Sequence, residues 1–222
     1  MKPIDGFTGL VAALLIAGSA AIAITLVAAQ APFADSRFEF QQFRDYSGTL
    51  AMNPYPSLLV SGERLLLVNP GKHGASIAAR DGSAISLRGA LIARGLSRML
   101  EVEPDSVRPG GVRAVAAGFI DLGEVTVTGE IADSKCYYGV MNPGSGKVHK
   151  DCAIRCLRGG IPPVLIARDA EGRTRTLILA GPGNMAIGKE ALTRVGEPVE
   201  IRGRLRRLDN LLILESEILT SR

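Results

Sequence analysis

Tryptophan is absent from the 222 residues, aromatics make up only 5%, and there are just three cysteines and two histidines. So few flat rings leave little for bases or sugars to stack on. Lys and Arg form no block of five or more, so the net charge of +4 is not a nucleic-acid footprint. No Cys-x-x-Cys-His occurs, which disfavours a c-type haem. Gly144-Ser-Gly146-Lys147 lacks what a phosphate loop requires, because Met141 stands in place of the first Gly and Val148 in place of the Ser/Thr. The chain also lacks the polarity of a disordered protein, being 46% hydrophobic and 22% charged, and its 26 Gly and 12 Pro follow no fibrous period. What remains is a globular protein with something added, and the excess apolarity is concentrated in the first thirty residues.

From Phe7 to Ala29 run 23 residues without a charge, enough helix to cross a hydrocarbon core of about 30 Å. Residues 1–33 are therefore expected to be a transmembrane anchor. The competing reading is a cleaved signal peptide, with Lys2 as a minimal basic start and Ala29-Gln30-Ala31 as a small-x-small cleavage site. The length of the apolar run and Pro32 just past the cut favour an uncleaved, single-pass anchor in the cytoplasmic (inner) membrane. Lys2 against the near-neutral Asp35-Arg37-Glu39 flank favours a cytoplasmic N-terminus and a periplasmic or extracytoplasmic remainder. Gly9, Ala13, Ala17 and Ala21 recur every four residues as a smooth stripe, the kind of surface on which a membrane-protein partner packs.

The rest of the chain carries one pattern twice. Ile85-Ser-Leu-Arg-Gly89-x-Leu91 followed by Leu100-Glu101 returns as Val199-Glu-Ile-Arg-Gly203-x-Leu205 followed by Leu214-Glu215. Upstream, Ser47-Gly48-Thr-Leu50 matches Thr128-Gly129-Glu-Ile131, and Arg64–Val68 matches Arg175–Leu179. The expected organisation is a first small β domain over 36–107, a linker over 108–122, and a second β domain over 123–221. Alternation and aliphatic runs predict strands at Phe38–Leu50, Leu58–Val60, Leu65–Val68, Ile85–Ala93 and Arg98–Val102, with a helix over Gly74–Ala79. The second copy has Val125–Asp133, Val164–Arg168, Thr174–Ala180, Val199–Leu208 and Leu211–Leu219, with a helix over Ala186–Val195. Five strands with a helix after the third is the order of an OB-fold, so the fold class expected is mainly β, an N-terminal transmembrane helix followed by two tandem OB-like five-stranded barrels. A pair of open β-sandwich-like meanders is the alternative.

The copies differ between their first two strands. The first has a short loop there, whereas the second has residues 134–163, expected to protrude from its barrel alone. This insertion holds Cys136, His149, Cys152 and Cys156, a C-x12-H-x2-C-x3-C spacing. Val148–Arg158 has helix formers and stops at Gly159-Gly160, so His149, Cys152 and Cys156 at i, i+3 and i+7 fall within an arc of about 60°. With Cys136 from the end of the preceding strand they match a Cys3His set suited to zinc or another soft transition metal, with copper or an iron–sulfur centre possible. Two other readings stay open. Cys136 can form a disulfide with Cys152 or Cys156, stapling the loop as an assembly module, or His149 can activate Cys152 or Cys156 as the thiol of an oxidoreductase. Asp133 and Asp151 are the available orienting groups for that dyad. Tyr137-Tyr138 fit either shielding of a metal or packing on the barrel, His73 in Lys72-His73-Gly74, where the first copy's expected helix begins, reads as a capping or surface residue, and Arg202–Arg207 as a solvated strand face.

The run Gly129-Glu-Ile-x-Asp-x-x-Cys136, then His149-x-x-Cys152-Ala-x-x-Cys156 and Gly159-Gly-Ile-Pro162, resembles a motif of poorly characterised, membrane-anchored bacterial cell-envelope proteins. More loosely, an anchor followed by an OB-like barrel is similar to the periplasmic haem chaperones of cytochrome c maturation. Those bind haem through a histidine near the C-terminus, and Leu219-Thr-Ser-Arg222 has none. The expectation is a non-catalytic, metal-binding, membrane-anchored protein serving as an accessory or structural subunit of a membrane redox or respiratory complex, with no nucleic-acid partner.

Overall fold

A computed structural model describes residues 5–29, 36–111, 113, 118–187 and 189–216. Lys2, Gln30, Ala31, Pro32, Asp35 and Leu219, on which parts of the anchor, cleavage and last-strand expectations rest, lie outside the described residues. The chain divides into two units, residues 1–34 and 35–222.

The first unit contains helix α1, Gly6–Ala29. Asp5 caps it by accepting the Thr8 amide at 2.8 Å. The helix is apolar all round and none of its residues is buried. At 24 residues it spans about 36 Å, long and apolar enough to cross a membrane.

The second unit holds two closed five-stranded barrels. The first is made from β1 (Ser36–Phe38), β2 (Arg44–Ala51), β3 (Ser57–Val60), β4 (Glu63–Asn69), β5 (His73–Gly74), β6 (Ala84–Arg94) and β7 (Ser97–Val102), with β8 (Arg108–Pro109) added beside β6. Its closed path is β6-β2-β3-β4-β7 and back to β6, with β4 and β7 parallel. The second follows with β9 (Ile120–Asp133), α2 (Lys150–Arg158), β10 (Pro163–Arg168), β11 (Thr174–Gly181), β12 (Met185–Ala186), β13 (Pro198–Leu208) and β14 (Leu211–Glu215). Its path, β13-β9-β10-β11-β14 and back, has the same order, again with one parallel contact, β11 to β14.

The ladders correspond in register. Gly48 faces Ile85 and Gly129 faces Val199; Ala90 faces Glu101 and Arg204 faces Glu215. Gly48 and Gly129 do the same steric job, since a Cβ on Gly48 would lie 2.2 Å from Leu59 O and one on Gly129 2.5 Å from Ile166 O. One alignment shifts. Leu66 pairs with Ser57 and Met99 as Ile178 pairs with Val164 and Ile213, so Arg64 corresponds to Thr176 and not to Arg175.

The runs Leu65–Val68 and Leu177–Ala180 are continuous because both of their faces are buried. Leu65 and Leu67 point into the first barrel, and Leu177 and Leu179 into the second. Leu66, Val68 and Met99 instead pack against Ile178, Ala180 and Ile213 in a third core between the barrels. Each such side chain stabilises by about 1.5–3 kcal/mol on burial, so equivalent faces of the two barrels hold each other. The contacts at the rim are reciprocal. Arg64 donates to Asp209 Oδ2 at 2.8 Å and Asn210 Oδ1 at 2.7 Å, while its counterpart Thr176 meets Ser97 at 2.7 Å.

Several sequence expectations need correction. Gly74–Ala79 is not a helix. It is an extended strap in which Ala75, Ile77 and Ala79 alternate inward onto the first barrel's core, a period of two that alanines signal only weakly. Phe38–Leu50 is interrupted, with Gln41 at φ 59°, and gives β1 and β2. Ala186–Val195 is reduced to a 3₁₀ segment, Lys189–Arg194. The last strand ends at Glu215. Of residues 108–122, Arg108–Pro109 pairs with Ile85 and Ser86, and Ile120 already belongs to β9.

Candidate metal centre

The start of the insertion is packed inward, while Met141–Pro143 and Lys147–Val148 are exposed. Cys136, Tyr137 and Tyr138 are buried in the core between the barrels, because the segment follows β9 directly into the junction. The Tyr138 hydroxyl joins the Ser97–Thr176 hydrogen bond, and burial pushes it up to about 12. The Arg94 guanidinium lies 4.1 Å from the centre of the Tyr137 ring. The tyrosines thus pack, as the plainer of the two readings had it.

Helix α2 brings Cys152 and Cys156 one turn apart, facing Cys136. The sulfurs of Cys136, Cys152 and Cys156 all lie within 4.8 Å of one another, and the Cys136–Cys156 pair is 4.0 Å apart. This is about twice a disulfide length of 2.05 Å and close to the edge of about 3.8 Å set by metal–sulfur bonds of 2.3 Å in a tetrahedron. All three are free thiols, Cys136 and Cys156 buried and Cys152 half-buried.

His149 is placed differently from what a continuous helix implies. Residues Lys147–His149 form a 3₁₀ turn, and α2 begins only at Lys150. The change of helical pitch turns the buried imidazole toward Asp133, whose Oδ2 lies 3.1 Å from Nε2. Asp133, Cys136 and His149 form a second group with ligand atoms within 4.8 Å of one another, so Cys136 is common to both groups. Asp133 is fully buried, and its Oδ1 accepts the Cys136 amide at 2.8 Å.

Two lysines make contacts here that no sequence motif assigned to them. Lys72, in the turn between β4 and β5 of the first barrel, donates to Cys152 Sγ at 2.7 Å and approaches Cys156 Sγ at 3.8 Å. Lys135, beside Cys136, reaches the opposite way. Its Nζ, 2% exposed with the rest of the side chain, donates to Asn69 O at 2.8 Å and Gly71 O at 2.7 Å and pairs with Glu101. The turn is also held by the Gly74 amide, which donates to Gly159 O at 2.8 Å. No spacing rule links residues so far apart in the chain.

The electrostatics separate the thiols. Hydrogen bonding with Cys156 holds the Cys136 thiol protonated, with burial and the Asp133 charge acting in the same direction. The same bond lowers Cys156, helped by the Lys72 charge and opposed by burial. The contact with Cys152 raises Lys72, keeping it an ammonium. His73 is exposed, and Arg204 and Arg206 pair with Asp121, Glu124 and Glu215 on a solvated strand face. An apolar cavity of about 400 Å³ lined by Tyr55, Pro56, Leu157, Ile161 and Ile187 contains none of the thiols in its wall.

Compared with models of protein families, with curated proteins and with solved structures, the chain shows no match. The functional reading therefore rests on this geometry.

Proposed function

We propose that this is a membrane-anchored metal-binding protein whose centre is held by Cys136, Cys152 and Cys156, with His149 as fourth ligand. The observation that carries the reading is the convergence of three free thiols within 4.8 Å at one buried point. Thiolates and an imidazole suit zinc or another soft ion, with copper or iron as outcomes that elemental analysis distinguishes. Asp133 supports the imidazole as ligand, because a carboxylate on one ring nitrogen orients the other toward a metal. A largely enclosed site fits a structural centre better than an open catalytic one. We read the protein as an accessory subunit of a membrane redox complex, with α1 as an inner-membrane anchor, the barrels on the extracytoplasmic side, and the barrels as copies of one duplicated unit.

His149→Ala is expected to lower metal content at least tenfold relative to wild type under a competing chelator, with the barrels still folded by circular dichroism. A wild-type protein purified anaerobically without metal would overturn the reading. The half-buried Cys152 beside Lys72 favours one rival, a reactive thiol. A single cysteine titrating rapidly in metal-free wild type is its signature. For the anchor, Ala13→Leu with Ala17→Leu should release a partner from detergent extracts while leaving insertion intact. Unchanged co-purification removes the Gly9, Ala13, Ala17, Ala21 stripe as a packing face.

A further inference from the structure

The centre is contributed by the second barrel, but what closes it comes from the first. The turn Asn69–Gly74 lies over the thiols, fixed by Lys135 through two carbonyls and by the Gly74–Gly159 hydrogen bond, and it delivers one charged side chain, Lys72. The turn is seated so closely that a Cβ on Gly159 would fall 1.8 Å from Lys72 O, so the Lys72 backbone is held against the end of α2.

Charge decides what this arrangement suits. Three thiolates around a divalent ion carry one net negative charge, and around a monovalent ion two. An uncompensated charge in a buried site is costly. Among the described side chains near the sulfurs, Lys135 is already paired with Glu101, and Asp133 is stabilised by the Cys136 amide and His149. Lys72 is the cation directed at the sulfurs themselves, at 2.7 and 3.8 Å.

Resting on the metal reading above, we propose that Lys72 of the first barrel is the counter-charge of a divalent tris-thiolate centre held by the second, so that the centre is complete only across the docked barrels. Lys72 acts as a positioning residue: it holds the thiolates without itself ligating the ion.

The test is an anaerobic Co2+ titration of the full chain in detergent, read by the sulfur-to-cobalt charge-transfer absorption. Wild type should show the band at one ion per chain. Lys72→Met should bind about tenfold to a hundredfold more weakly, as loss of an outer partner of a metal site does, and Lys72→Arg should recover part of the loss. The urea midpoint of the metal-free protein should stay within error of wild type in Lys72→Met, since this side chain is only part-buried; Lys72→Gln serves should that variant fail to fold. Equal Co2+ affinity in wild type and Lys72→Met overturns this inference and leaves the metal centre standing. Absence of the thiolate band in wild type overturns the centre itself. Copper as the dominant ion in protein isolated from cells overturns the divalent assignment.

Discussion

Lys135→Met should destabilise the two-barrel unit by about 3–5 kcal/mol, the range found when one partner of a buried ion pair is removed. Lys135 of the second barrel and Glu101 of the first are 2% and 9% exposed at their side chains, so the pair is buried where the two barrels meet. Methionine fills much of the same volume. It strands the Glu101 carboxylate and two carbonyls, those of Asn69 and Gly71, which lose their donor. The double variant Lys135→Met with Glu101→Gln should regain part of the loss, because the stranded charge is then gone. Urea unfolding followed by circular dichroism measures this; a loss under 1 kcal/mol for the single variant would mean that the inter-barrel contact is not what holds this lysine.

Gly159→Ala is the second large effect, expected at about 1–3 kcal/mol, the usual cost of forcing extra volume into a packed site, together with weaker metal retention. Gly159 sits at φ −78°, an ordinary helical value, so alanine meets no backbone penalty. The obstacle is space, with Lys72 O only 1.8 Å from the added carbon and backbone on both sides. The end of α2 and the Asn69–Gly74 turn must separate, and Cys156 and Lys72 move apart with them. Thermal unfolding with and without added zinc checks it. A variant as stable as wild type, with the same zinc-induced rise in midpoint, contradicts the close approach.

The strands were legible because five alternating or aliphatic segments recur in the same order, and Gly48, Gly129, Gly89 and Gly203 gave each barrel its register. The Cys152–Cys156 face was legible because α2 keeps helical spacing from Lys150 onward. His149 departs from that face because the pitch changes just before it. The core between the barrels was hidden for a different reason. A four-residue run such as Leu65–Val68 reads the same whether its second face meets a helix, a lipid or another barrel. Lys72 was hidden because Cys152 lies eighty residues away in the chain, and Lys135 because Asn69, Gly71 and Glu101 all belong to the other barrel. Asp133 was noticed only as one of two acidic candidates, and its burial and dual role with His149 and the Cys136 amide depend on where β9 ends.

The most direct measurement is X-ray absorption at the edge of the metal bound to anaerobically purified wild-type protein, with a thiol count on the same sample. The account predicts one ion per chain with about three sulfur neighbours at about 2.3 Å and a lighter neighbour near 2.0 Å. It also predicts no thiol free to react until the ion is removed, and three thereafter. Protein without metal, with one titratable thiol and a disulfide from Cys136 to Cys152 or Cys156, would contradict it, as would a bound ion whose neighbours are nitrogen and oxygen alone.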